Sequence, residues 1–350
     1  MNFEPTYPPQ HDGLEGVPAP AETPFVVGHE QVAEQLVAAY RRGKLPHAVM
    51  FCGHAGIGKA TLAFHIARYL LAHPDPSGAP ARFETPGPST PIYRQVAGGA
   101  HPSVLHLTRP PLDNGKGFRT QLTVDEVRRV SRFLSLTSHD GGWRIVIVDP
   151  ADDLNRNAAN ALLKSLEEPP ARTIFILVSH LPGRLLPTIR SRCQVFRLQP
   201  LAAAQTIDVL ERLGQSLPAG NDERLRLAEM AAGSPRTAML LAEHGGADIG
   251  DAVDRLATGA FDTVEAHRLA DAVAARDGKV LFDIFNGRVL AILETAASTS
   301  ARGGDVTRAD ALADTWQAAR NAITEAESYN LDRKLHALTM IERLNAVMRM

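Results

Sequence analysis

The sequence predicts an α/β domain built on a doubly wound parallel sheet, followed by an all-helical region. Three observations carry this. Apolar runs of strand length alternate with helix-period segments from Pro24 to Leu198. One of these runs, His47 to Cys52, opens into a glycine-rich turn and then a helix. After Leu201 strand-like runs vanish and Ala/Leu-rich helical patterns dominate. Strands that are apolar throughout, separated by helices, are the mark of a parallel sheet covered on both faces.

Taken in order, residues 1–23 are rich in Pro, Gly and Glu with little periodicity, and read as a flexible leader. A helix is expected from Glu30 to Arg42, where Val32, Leu36, Val37 and Tyr40 fall at helical spacing. His47–Cys52 reads as a strand and Lys59–Leu71 as the helix after it. Residues 72–103 are dense in Pro, Gly and Ala and read as a long loop or an insertion. Thr123-x-x-Glu126 has the form of a capping box opening a helix from Val124 to Leu134. Arg144–Asp149 is a short apolar strand ending in a carboxylate. The helix expected over Asn157–Leu166 stops at Pro169-Pro170. Thr173–Val178 is a further buried strand. The predicted organisation is a leader (1–23), an α/β domain (24–200), a small helical lid (201–247) and a domain of four or five helices (248–350), with a break near Gly245-Gly246.

Composition narrows the function classes. Of 350 residues, 44% are hydrophobic and 22% charged, an ordinary globular balance too long for one core. The formal net charge of -2 excludes a protein that holds nucleic acid alone through a broad basic surface. Two isolated cysteines, Cys52 and Cys193, cannot build a four-thiolate zinc site, so no metal is expected and both read as reduced, buried thiols. No apolar run approaches the ~20 residues of a membrane span. The acidic, proline-containing N-terminus lacks the pattern of a secretion signal, so a cytoplasmic location is expected.

The chemistry concentrates in two motifs. Gly53-His-Ala-Gly56-Ile-Gly58-Lys59-Ala60-Thr61 nearly matches the P-loop, whose glycines turn backbone N–H groups around phosphate oxygens while its Lys reaches the terminal phosphates. The Mg²⁺-holding hydroxyl belongs at position 60, where Ala60 stands. Thr61 lies one residue on, rotated about 100° around the helix. The second motif is Ile145-Val-Ile-Val-Asp149, a strand-terminal Asp where P-loop ATPases organise the metal. A Glu that orients the attacking water would follow it. Here Pro150 follows, and Asp152 comes two residues later.

Asn157-Ala-Ala-Asn-Ala-Leu-Leu-Lys164-Ser-Leu-Glu167-Glu168-Pro169-Pro170 and Thr188-Ile-Arg190-Ser191-Arg192-Cys193 complete the pattern. On these residues the chain resembles the clamp-loader branch of the AAA+ family over about residues 24–245 and in its last helix. The resemblance implies a P-loop AAA+ domain, a helical lid and a helical collar that joins subunits in a ring. It implies that Arg192 is an arginine finger completing a neighbouring subunit's ATP site, with Arg190 a solvated flank. It also places Ser179 at the polar sensor at a strand end, Arg236 of Gly233-Ser-Pro-Arg236 at the lid sensor, and Val27-Gly28-His29 at the box near adenine. An ordinary turn explains Ser179 and Gly28 equally well. The implied partners are the gamma/tau and delta subunits, a sliding clamp and primed DNA through the complex, with no membrane.

Ala60, Pro150 and Tyr329-Asn330-Leu331-Asp332-Arg333-Lys334 favour a non-hydrolysing subunit over the ATP-hydrolysing gamma/tau type. Whether ATP binds weakly or not at all is left open. Many relatives carry a four-Cys zinc module after the P-loop helix, whereas residues 72–103 here hold no Cys.

Overall fold

A computed structural model describes residues 7–115, 117–135, 142–243, 246–275, 279–329 and 331–350. Gly245 of the expected break and Asn330 of the C-terminal motif lie outside these residues. The chain divides into two compact units, Met1–Gln205 and Thr206–Met350.

In the first unit five parallel strands run in the order β2-β3-β4-β1-β5: β1 (Ala48–Cys52), β2 (Val104–Leu107), β3 (Arg144–Val148), β4 (Thr173–Ser179) and β5 (Gln194–Arg197). The helices are α1 (Glu30–Arg41), α2 (Lys59–Ala72), α3 (Pro91–Ala97), α4 (Val124–Ser135), α5 (Arg156–Glu167) and α6 (Pro187–Arg190).

Side-chain alternation divides the core in two. Val49, Phe51, Ile145, Ile147, Ile174 and Ile176 point to one face, against α1 and α2. Met50, Cys52, Val146, Val148, Phe175 and Leu177 point to the other, against α4 and α5. Burial on both faces is why the three central strands contain almost no polar residue. Cys52 is buried and Cys193 half-buried, both as free thiols.

Two edge strands were not anticipated. In β5 only Phe196 is buried, and Gln194, Val195 and Arg197 face solvent; in β2 only Leu107 is fully buried. An edge strand keeps one side in water and loses the uniform apolar signal. The 72–103 stretch is also less irregular than its composition suggests. Thr90 caps α3 by accepting the Tyr93 N–H at 3.3 Å, Pro91 supplies the first turn, and Tyr93, Val96 and Ala97 are buried.

The leader needs a larger correction, because residues 7–23 pack on the domain. The Glu22 carboxylate accepts the N–H groups of Tyr7 at 3.1 Å and Ala19 at 2.9 Å. The Thr23 carbonyl accepts from His65 Nε2 at 3.0 Å and Arg68 Nη2 at 2.8 Å. Ala21, Glu22 and Thr23 are all buried. Long-range hydrogen bonds to α2 hold a segment whose composition alone reads as unstructured.

The second unit is all-helical: α7 (Ala203–Arg212, which begins in the first unit), α8 (Asn221–Met230), α9 (Pro235–Glu243), α10 (Gly246–Thr258), α11 (Thr263–Val273), α12 (Lys279–Arg302), α13 (Val306–Tyr329) and α14 (Arg333–Met348). Helices α8 and α9, from the expected lid, pack against α10 of the expected collar. Two of its buried polar side chains are held by hydrogen bonds: Asn345 Nδ2 donates to the Leu256 and Gly259 carbonyls at 2.7 and 3.1 Å, and His336 Nε2 lies 2.9 Å from Asn286 Oδ1. Among the described residues no helix is long and apolar enough to cross a membrane.

Candidate functional site

Parallel α/β sheets place their ligand crevice beyond the C-terminal ends of the strands. The ends of β1, β3 and β4 therefore bring together the glycine loop, Asp149 and Ser179. Gly56 and Gly58 take φ of 76° and 97°, so the loop reaches the start of α2 in a left-handed turn that a side chain would strain. A Cβ at Gly53 would meet the Leu198 carbonyl oxygen at 2.6 Å, which presses the loop against the segment after β5. Three further contacts fix it. Gly53 N–H donates to the Ser179 carbonyl at 3.2 Å. His29, buried, donates from Nε2 to the Ile57 carbonyl at 2.6 Å, and burial holds its pKa below the ordinary value. Gly28, at φ 80°, sits where any Cβ would strike Leu201 Cδ2. The Val27-Gly28-His29 box thus braces the phosphate loop as well as turning the chain.

Lys59 is buried and folded onto its own loop. Its Nζ donates to the Gly53 carbonyl at 2.8 Å and to the His54 carbonyl. Burial lowers its pKa to about 8, with Asp149 and Asp152 acting in the opposite direction. Asp149, at the end of β3, is itself buried, and burial raises its carboxyl to about 7, an effect that Asp12 adds to and Lys59 opposes. Its Oδ2 lies 4.0 Å from His106 Nε2, and burial pushes that imidazole down to about 4. The peptide Asp149-Pro150 is cis.

Asp152 is committed elsewhere. Its carboxylate accepts the Ser179 hydroxyl at 2.7 Å, the Leu181 N–H at 3.1 Å and the His180 N–H. The neighbouring Asp153 accepts from Arg109 Nε at 2.5 Å and from Nη2 at 3.0 Å, a two-point grip by one edge of the guanidinium. With its oxygens occupied by a serine and two backbone amides, Asp152 staples β3 to the turn after β4. The polar residue at position 179 and the acid at 152 are therefore one hydrogen-bonded unit, which motif spacing did not foresee.

The loop and its lysine fit a phosphate cradle in backbone geometry. The metal-holding hydroxyl and the water-orienting carboxylate are replaced by Ala60 and Pro150, and Thr61 sits half-buried on α2 beside the loop. Among the described residues no group of three or more His, Cys, Asp or Glu side chains could hold a metal ion.

Away from the crevice, the short α6 carries Arg190 and is followed by Ser191 and Arg192. The Arg192 guanidinium donates to the Thr188 carbonyl at 2.9 Å from Nη1 and to Glu167 Oε1 at 2.6 Å from Nη2. Its side chain is 35% exposed and that of Glu167 48%. Arg236 is in the second unit, in the first turn of α9, just after Gly233 at φ 75° and the buried Ser234.

The family model described as DNA polymerase III, delta subunit, matches residues 28–202, half of the chain. DNA polymerase III subunit delta' of Pseudomonas aeruginosa is 42% identical over 205 residues, covering 58% of this chain and 57% of that protein. The Escherichia coli subunit delta' is 36% identical over 208 residues, covering 59% and 58%. The matched region thus spans a little over half the length of these relatives. A solved Thermotoga maritima protein related to the DNA polymerase III gamma subunit aligns over 92% of this chain and 100% of its own, with 16% identity and a TM-score of 0.40. The match of half the chain to the family model, with the identity to two delta' subunits behind it, shows that the chain belongs to the DNA polymerase III delta-subunit family, in the delta' group of clamp-loader subunits.

Proposed function

We propose that the chain is a non-hydrolysing clamp-loader subunit that presents Arg192 to ATP held by an adjacent subunit and so helps load a sliding clamp onto primed DNA. The carrying observation is a contrast within one domain. The crevice keeps its glycine loop but has Ala60 and Pro150 where hydrolysis needs a hydroxyl and a carboxylate, and the acid two residues on, Asp152, is bound to Ser179, His180 and Leu181. Arg192, in contrast, stands at the outer edge of the domain with its planar fork held by Glu167 and Thr188. A delocalised guanidinium in a fixed orientation suits the γ-phosphate of a bound nucleotide. The partners of this reading are the gamma/tau and delta subunits, joined through the helical unit.

The test is clamp- and DNA-stimulated ATPase of the complex reconstituted with the full chain. Arg192→Ala lowers turnover at the one neighbouring site while Arg190→Ala leaves it unchanged. Equal turnover in the two variants would falsify the finger assignment and leave a scaffold.

A further inference from the structure

We propose that a cleft in the helical unit takes a short acidic peptide segment carrying a large apolar side chain, offered by a protein partner, with Arg308 as its anchor. The arginine-finger reading and the phosphate crevice play no part in it.

The cleft has a volume of about 720 Å³ and is lined by residues of α10, α12, α13 and α14. One face of α12 runs along it, because Arg288, Ala291, Ile292, Thr295, Ala296 and Thr299 recur at helical spacing. Ala291, Ile292 and Ala296 are only half-buried there, and Thr295 and Thr299 are exposed. Met348 of α14 adds to the apolar lining. Two further apolar side chains stand close by in the chain. Val306 lies two residues before Arg308 and Met350 two residues after Met348, and they are 64% and 77% exposed.

Three guanidinium groups line the cleft against one carboxylate, that of Asp254. Two of the three already have acids. Arg288 donates to Asp254 from Nε at 2.8 Å and from Nη2 at 2.5 Å, and Arg255 donates to Glu265 of α11 at 2.8 and 2.5 Å. Arg308 differs. Its Nη2 donates to the Met348 carbonyl at 3.1 Å, its Nε is buried with no acceptor, and among the described residues no carboxylate pairs with its side chain. The acid nearest to it in sequence, Asp305, accepts the Arg308 backbone N–H at 3.0 Å and so caps α13.

A buried donor without an acceptor is unfavourable, and a carboxylate from outside would satisfy it with a charge-assisted hydrogen bond. The surroundings of that cation are apolar side chains and hydroxyls, which match an acid carried on an apolar body. Concave, largely apolar sites with a few polar groups are where ligands bind. The exposed Val306 and Met350 extend the apolar surface past the reach of one small anion and favour a peptide.

The experiment selects short random peptides, displayed on phage, on the full chain, and titrates the labelled survivors by fluorescence anisotropy. The survivors should pair an acidic residue with a large apolar one. Their affinity should fall on the order of ten-fold in Arg308→Gln and in Ile292→Glu, which sets a like charge into the apolar lining. Recovery of no acidic-apolar peptide overturns the proposal, and so does undiminished affinity in either folded variant. Where a thermal melt finds one of these variants unfolded, Val306→Asp decides from an exposed position: it should weaken binding, and unchanged affinity again overturns the proposal. Inorganic phosphate and acetate are the competitors. Displacement by either as effective per mole as by the unlabelled peptide would make this a small-anion site and sink the peptide assignment.

Discussion

Arg192 and Glu167 form an ion pair, Nη2 to Oε1 at 2.6 Å, between the turn after α6 and the C-terminal end of α5. Both side chains remain partly in water, where such a pair contributes ~0.2–1 kcal/mol. On the proposed reading, Glu167 is an orienting partner that an incoming γ-phosphate would displace at small cost. Glu167→Gln keeps an acceptor and removes the charge. It should shift the urea midpoint of the isolated chain only slightly and leave complex turnover within about five-fold of the unaltered value. Arg192→Lys, which keeps the charge and loses the fork, should lower turnover nearly as far as Arg192→Ala. Full activity in Arg192→Lys would show that charge alone suffices at this position.

The Ser179–Asp152 unit gives a stability prediction. Asp152→Ala leaves one hydroxyl and two backbone N–H groups without their acceptor, and a buried donor so stranded costs ~1–3 kcal/mol. Asp152→Ala should destabilise the chain by about 3 kcal/mol in urea unfolding, and Ser179→Ala by about 1 kcal/mol. The double variant should cost less than the sum, since each removes the same bond. Strict additivity would show that the two do not act together.

What was legible in the sequence follows the physics of burial. Strands β1, β3 and β4 bury both faces, so Val49, Ile147 and Ile176 announced them. Strands β2 and β5 border solvent, and His106, Gln194 and Arg197 masked them. The glycine loop and Asp149 were readable because their chemistry demands residue types at fixed spacing. The brace by His29, the commitment of Asp152 to Ser179 and the pairing of Arg192 with Glu167 span 25 to 28 positions and depend on the folded chain. The leader shows the limit of composition most plainly: its Pro and Gly content said nothing of the carboxylate of Glu22 or the carbonyl of Thr23, whose hydrogen bonds fasten it.

Hydrolysis provides another test. Phosphoryl transfer is catalysed chiefly by positioning and electrostatics, and positions 60 and 150 supply neither metal ligand nor water-orienting group. The purified chain should turn over ATP no faster than background, and Lys59→Ala should leave clamp loading by the reconstituted complex nearly intact. A steady-state rate that vanishes in Lys59→Ala would mean that Thr61 takes the metal from its displaced position.

Asp149 makes the stability of the chain depend on pH. Its folded pKa is raised to about 7 from a usual value of 3.8, chiefly by burial. Below both values the carboxyl is protonated in the folded and unfolded chains alike and contributes nothing. As pH climbs between them, the unfolded chain releases its proton while the folded chain retains it, so stability falls, and the full penalty persists above pH 7. A shift of that size corresponds to a ceiling of about 4 kcal/mol, and water entry or a small movement of Lys59 would reduce it. His106 acts in the opposite sense. Its folded pKa is lowered to about 4, so the unfolded chain holds the extra proton and stability rises with pH over part of the same range. The total profile mixes the two, and the informative quantity is the difference between the unaltered chain and Asp149→Asn. That difference should be near constant below pH 4, should swing in favour of Asp149→Asn from pH 4 to 7 and should level off above it, by urea unfolding at matched ionic strength. Parallel profiles across that interval would place the Asp149 carboxylate in water, open to solvent at the end of β3.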